Sequence, residues 1–321
     1  MKICMISGGH LPIPSKGWGG VEVLLTNYLY ELKNQGHEVL ITNTQNLDLV
    51  AQTVNDWEPD FVHLHYDRYT KFLDRIECPK KAITSHYPYI DYPDIAQKEG
   101  YTWIYEHLKD QKDSYVFSLS NFNKEVLVEK GVEPERIETW MYGIPCKDFK
   151  FSTQPKKPER TICLGKIEPR KRQSFLQTVG ANIDFAGPIS DKKFWETEPE
   201  YLGKWSRDQV HNDLTNYASL VLLSNGESAP QVVYEALMAG CGLVVSKEAS
   251  ANLDTSLPFI DVVDNNISRF ALLGVLESNR ETSLAHREEI RQYGIDNFSI
   301  ESCTANYVDM IEKLEKRSDS L

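Results

Sequence analysis

The sequence has no C-x-x-C pair, no surplus of positive charge and no long apolar run, and each absence removes a class of function. Its six cysteines, Cys4, Cys78, Cys146, Cys163, Cys241 and Cys303, lie far apart. That spacing argues against a disulfide-stapled scaffold or a zinc ribbon and favours reduced thiols in a cytoplasmic protein. Thirty-five basic residues against 47 acidic ones leave a net charge of -12, shared evenly by the two halves, so nucleic acid is not an expected partner. No stretch reaches the ~20 apolar residues of a transmembrane helix, and the run before Ser7 is too short for a signal-peptide core. The dinucleotide fingerprint G-x-G-x-x-G is also missing, as is any repeat of fixed period.

What remains is an ordinary globular composition, 41% hydrophobic and 26% charged, over 321 residues, enough chain for two domains of ~150 residues. Short apolar runs alternate with amphipathic stretches, the pattern of an α/β protein with parallel sheets. In the first half, strands are expected at Lys2 to Ile6, His37 to Thr42, Phe61 to His65, Lys81 to Ser85, Tyr115 to Leu119 and Ile137 to Met141. The clearest helix is Val21 to Gln35, with Val21, Leu25, Tyr28, Leu29 and Leu32 recurring at three and four residues and Gly36 as its stop. Another helix, mixed in charge, is expected near Asp94 to Lys112. A stretch with two prolines and no periodicity, residues 149–160, reads as a linker. A second strand series follows at Thr161 to Gly165, Ile183 to Ala186, Leu220 to Ser224, Leu243 to Ser246 and Phe259 to Val263. The expected domains are therefore residues 1–148 and 161–298, with a final helical segment over 299–321.

Parallel-sheet domains bind ligands at the carboxyl ends of their strands, so the strand-to-helix loops are where chemistry is sought. Gly17 to Glu22, GWGGVE, places a glycine pair before a helix, which suits either close approach of a phosphate or sugar or an ordinary tight turn. Leu222 to Ser246 runs from a buried strand through a polar loop to Pro230, which would open a helix and leave the amides of Gln231, Val232 and Val233 for an anion. Glu227 and Glu235, eight positions apart, either accept hydrogen bonds from sugar hydroxyls beside that anion or serve as a helix cap and a solvated face residue. His63 and His65 share a strand face; two further ligands are missing, and packing is the preferred reading over metal.

The stretch around Glu227, Glu235-Ala236 and Ala239-Gly240 resembles the donor-site signature of glycosyltransferase family 4, retaining enzymes with the GT-B fold. The resemblance continues in order along the chain. GWGGVE and GHEVLIT resemble the family's glycine loop and second strand, and AITSHYP its strand ending in the active-site histidine, here His86. SLSNFNKEVLVEKGV and IETWMYGIPCKDF resemble the end of the first domain, and LGKIEPRKR the family's Gly-Arg, four residues, Lys segment. It implies two Rossmann-like domains facing across a cleft, with the last helix crossing back to the first domain. It also implies transfer of a hexose from a UDP- or GDP-sugar to a hydroxyl, with retention and without a metal; no D-x-D stands at a strand end.

On this resemblance the donor residues are Gly19, Gly20, Lys166, Lys171, Glu227, Ser228, Ala229, Pro230, Gln231, Val232 and Glu235. Lys171 and Lys166 face the leaving diphosphate, Lys166 standing where the family has arginine; Glu227 faces the sugar, Glu235 the ribose, and His86 the region of the anomeric centre. Trp18, Tyr66, Asp67, Arg68 and Tyr87 are candidates for a glycan or small hydroxylated acceptor, because aromatic faces suit sugar rings. Two alternatives stand beside this reading: a non-catalytic nucleotide or sugar binder on the same fold, and a nucleotide-sugar epimerase.

Overall fold

In the computed structural model, which describes residues 1–15 and 17–316, the chain divides into two compact units. The first takes Met1–Gly143 together with the chain from Ile300 onward; the second is Ile144–Ser299. The end of the expected final segment, residues 317–321, lies outside the described residues.

The first unit is built on six parallel strands: β1 (Lys2–Ile6), β2 (Glu38–Thr42), β3 (Phe61–Leu64), β4 (Lys81–Ile83), β5 (Tyr115–Ser118) and β6 (Ile137–Thr139), in the order β2-β1-β3-β4-β5-β6. Helices cover both faces of such a sheet, so its central strands are buried throughout, Ile3 to Ile6 and Phe61 to Leu64 alike, and apolar except at His63. The helix Gly20–Asn34 turns Val23, Leu24, Leu25, Tyr28 and Leu32 inward. It ends where Gly36 takes a left-handed φ of 88°, which lets the amides of Gly36 and His37 reach the carbonyls of Lys33 and Leu32. The helix expected over Asp94 to Lys112 is two helices, Pro93–Lys98 and Trp103–Asp110, because Gly100 between them adopts φ 69°. The final helix, Ile300–Lys313, belongs to this unit. Its Tyr307 hydroxyl meets His63 Nδ1 at 2.9 Å, Gln35 donates to Thr304 Oγ1 at 2.6 Å, and Lys80 donates to the Ile311 carbonyl.

The second unit has five parallel strands, β7 (Lys157–Leu164), β8 (Ile183–Ala186), β9 (Tyr217–Leu222), β10 (Gly242–Ser246) and β11 (Ile260–Val263), ordered β11-β10-β9-β7-β8. The linker expected at residues 149–160 is part of this unit. Phe149 is buried, Lys150 donates to the His211 carbonyl, Arg287 donates to the Ser152 carbonyl, and β7 begins at Lys157. Pro158 is tolerated because β7 slips register against β9 between Lys157 and Thr161, so the missing donor interrupts no regular ladder. The unit starts instead at Ile144, whose amide bonds the Phe298 carbonyl at 2.8 Å, bringing both ends of the unit side by side.

In each unit the order of connection reverses between the first and third strands, β1 and β3 or β7 and β9. Loops leaving those neighbours diverge to opposite faces and open a crevice at their carboxyl ends.

Candidate active site

In the second unit that crevice lies between the loops after β7 and β9. The first loop passes through Gly165, at φ 137°, to a tight turn at Pro169–Lys171 that ends with Arg172 at a left-handed φ of 59°. The second runs from Ser224 to Pro230 and is buried except at Asn225. Arg170 laces them together. Its guanidinium donates to Glu168 Oε1 at 2.6 Å, to Ser224 Oγ at 3.1 Å and to the Gly226 carbonyl, and stands 2.8 Å from Glu227 Oε1. The Asn225 amide returns a hydrogen bond to the Arg170 carbonyl. Burial alone would lower the Arg170 pKa, but Glu227 and Glu168 outweigh it and hold the group above its ordinary value.

Lys171 Nζ reaches Glu227 Oε1 at 3.5 Å with its side chain 13% exposed, so Arg170 and Lys171 converge on one carboxylate. Lys166 is placed differently: it is 55% exposed and 3.5 Å from Glu168. Glu227 does not cap the helix Gln231–Met238; Pro230 precedes that helix in an extended conformation, with no side-chain cap. Pro230 is therefore not its first helical residue, and the Val233 amide is hydrogen-bonded to the Pro230 carbonyl, withdrawn from the expected amide trio. Ser228 and Ala229 are buried, while Gln231 and Val232 are half-buried. Glu235 is buried inside the same helix and paired with Arg207 Nη1 at 2.7 Å, so it is not a solvated face residue.

In the first unit the expected histidines lie at the carboxyl ends of β3 and its neighbour β4. His63 is a satisfied core residue, with Tyr307 on Nδ1 and Thr84 on Nε2. His65 Nδ1 lies 3.1 Å from His86 Nε2, and the two rings are within 22° of parallel. Burial pushes the His86 pKa down to about 4 and lowers those of His63 and His65, so all three rings are neutral at physiological pH. Asp67 accepts from Ser85 and Tyr101 through Oδ2, and burial still pushes its pKa up to about 6. Tyr87 stacks on Tyr101 at 4.0 Å, which brings Asp67 and Tyr87 into one cluster. Three buried polar atoms there have no hydrogen-bond partner: His65 Nε2, Asp67 Oδ1 and Tyr87 Oη.

Tyr66 packs instead on His10 and Tyr69, with its hydroxyl 2.9 Å from His10 Nε2, and Arg68 is exposed. Trp18 is half-buried before the Gly20 helix; Gly19 has φ 109°, and a side chain there would meet Glu22 and Leu11. Arg170, Glu168, Arg207, Ser85 and Tyr101 were not singled out by sequence. Only Arg170 carried a local signal, its neighbourhood to Lys171 in a basic turn.

No protein-family model matches the chain, and no curated protein sequence matches it. Solved structures do. HepE of Anabaena in complex with UDP-glucose superposes with a TM-score of 0.75 at 12% identity, covering 98% of this chain and 100% of that one. Sucrose-phosphate synthase from Thermosynechococcus elongatus gives 0.72 at 13% identity, with 97% and 98% covered. AviGT4, a glycosyltransferase involved in avilamycin A biosynthesis, gives 0.68 at 14%, with 98% and 97% covered. With its two parallel-sheet α/β domains, this chain has the GT-B fold of those glycosyltransferases.

Proposed function

We propose that the protein is a retaining glycosyltransferase of the family 4 type that moves a hexose from a UDP- or GDP-sugar to a hydroxyl of a glycan or small acceptor. The observation that carries this reading is the meeting of Arg170 and Lys171 on the buried Glu227, where the loops after β7 and β9 close on each other. Here a carboxylate for sugar hydroxyls and a cation for a diphosphate share one crevice, on a fold for which HepE was solved with UDP-glucose.

In this reading the acceptor oxygen bonds to the anomeric carbon on the face the diphosphate is leaving. The bonding electrons of the C–O bond pass to the diphosphate, one of whose oxygens takes the hydroxyl proton. Lys171 neutralises the growing charge, the role in which one oriented donor lowers a barrier by roughly 2.7–4 kcal/mol. Lys166 gives secondary support from an exposed position, and these cations stand in for a metal. Glu227 orients the sugar and Glu235, held by Arg207, the ribose. Asp67 and Tyr87, joined in one cluster through Tyr101, are the acceptor-side residues in this reading. The six free cysteines support a cytoplasmic location, and among the described residues no helix is long and apolar enough to cross a membrane.

The test is thermal melting with UDP, GDP, ADP, CDP and dTDP, since a ligand at a hundred times its Kd adds about 2.7 kcal/mol. One base class should shift the wild-type melt, and Lys171→Ala and Glu235→Ala should each lose that shift while Lys166→Ala keeps part of it. Unchanged nucleotide affinity in both Lys171→Ala and Glu235→Ala would sink the site assignment. Donor binding without turnover would favour a binding protein, and donor conversion without an acceptor an epimerase.

A further inference from the structure

The three histidines at the ends of β3 and β4 leave little choice about where their protons sit. Thr84 donates its hydroxyl hydrogen to the Phe117 carbonyl at 2.9 Å, so toward His63 its oxygen can only accept. His63 therefore carries its proton on Nε2, and its Nδ1 takes the Tyr307 hydroxyl hydrogen. His65 faces the opposite constraint. Its Nε2 is buried with no partner, and its ring is walled in by His63 at 3.9 Å and Trp140 at 5.6 Å between centroids. A buried N–H without an acceptor is rarer and costlier than a bare ring lone pair. The proton of neutral His65 thus belongs on Nδ1, where His86 Nε2 is 3.1 Å away to receive it.

We propose that His65 is a positioning residue that fixes His86 in the Nδ1–H tautomer, so that His86 presents a hydrogen-bond donor, and not a base, to whatever lies before it. This deepens the reading given above and rests on it in one respect: that His86 faces the donor sugar. With His86 Nε2 occupied by His65, Nδ1–H is left to donate to a sugar oxygen, and the ring has no vacant lone pair with which to accept the acceptor's proton. That agrees with a reaction in which a leaving-phosphate oxygen takes the proton. His65 does this without touching substrate, because its ring is buried among His63, Trp140 and His86 within the first unit.

Nitrogen-15 NMR of histidine-labelled protein at neutral pH decides the matter without any substrate, with His63→Gln, His65→Asn and His86→Gln spectra used to assign the rings. The expected pattern is a protonated Nε2 in His63 and a protonated Nδ1 in both His65 and His86. In His65→Leu, which removes the donor, His86 should lose its single tautomer and show a mixture. In His65→Asn, whose side-chain amide N–H stands near the place of Nδ1–H, the Nδ1–H form should return. A protonated Nε2 on His86 in the wild type overturns the proposal, as does an unchanged His86 tautomer in His65→Leu with a native melt. Adding UDP-glucose then tests the reading beneath: the His86 Nδ1–H resonance moves if the ring faces the donor. A still resonance counts against that reading and leaves the tautomer result standing.

Discussion

Arg170→Ala is the substitution whose cost the structure defines best. The side chain is 17% exposed and its partners Glu227 and Glu168 are 10% and 20% exposed, so neither carboxylate is fully rehydrated when the guanidinium goes. Removing one member of a buried pair costs about 3–5 kcal/mol, because a charge is stranded. Lys171 remains 3.5 Å from Glu227, which places the expected loss at the low end, near 3 kcal/mol, even with the hydrogen bonds to Ser224 and Gly226 gone. At 2–4 °C per kcal/mol for a domain of this size, the melt of the second unit should fall by roughly 6–12 °C. The informative experiment is a cycle of wild type, Arg170→Ala, Glu227→Gln and the double variant, followed by thermal and urea unfolding. Neutralising Glu227 should cost less in the Arg170→Ala background than in the wild type, giving a coupling of ~1–3 kcal/mol. A single variant melting within about 1 °C of wild type, or two substitutions additive within ~0.5 kcal/mol, would refute the lacing of the two loops through this pair.

Backbone conformation and acid each offer a further probe. Gly187 and Gly180 both have positive φ, 152° and 72°, but a Cβ at Gly187 would stand 1.9 Å from the Gly165 carbonyl oxygen, whereas one at Gly180 meets nothing within 4 Å. Gly180→Ala should cost the ~1–2 kcal/mol of left-handed backbone alone. Gly187→Ala should cost clearly more and displace the loop that carries Lys171, and equal melts would contradict the packing. Acid is the other probe. His86 has its folded pKa pushed down to about 4, below the unfolded value near 6.5, so the unfolded chain binds more protons between those limits. Its contribution is present above pH 6.5 and is lost as pH falls toward 4, by about 3 kcal/mol for a shift of this size. The stability of His86→Gln relative to wild type should therefore rise on acidification through that window, and a pH-independent difference would show that the ring is not held neutral by burial.

Much of the fold could be read from the sequence because its signals are local. Lys2 to Ile6 and Ile183 to Ala186 have the boundaries expected from apolar runs, and Gly36 closes the first long helix as its lack of a Cβ allows. Errors arose where a local signal had two uses. Proline marked residues 149–160 as a linker, yet Pro158 fits the irregular start of β7. Gly100 was spanned by a helical pattern that its positive φ breaks in two.

The sequence by itself determined the residue types and the order in which they arrive: apolar strands, glycine turns, a glutamate pair eight apart, and a basic turn after a strand. The strands it predicts put His86, Lys171 and Glu227 in the loops that follow Lys81 to Ser85, Thr161 to Gly165 and Leu220 to Ser224, and the family resemblance singled them out there. Tertiary structure alone decided which charges meet. The family resemblance made Lys166 and Lys171 a pair, but the turn at Pro169–Lys171 sends Arg170 and Lys171 onto Glu227 and leaves Lys166 largely in water. Arg207 reaches Glu235, and His65 reaches His86, across gaps in sequence that no local pattern bridges. The physical reason is that a parallel sheet sets neighbouring strand ends side by side whatever the length of chain between them, so a charge or proton finds its partner through the order of strands and not through spacing along the chain.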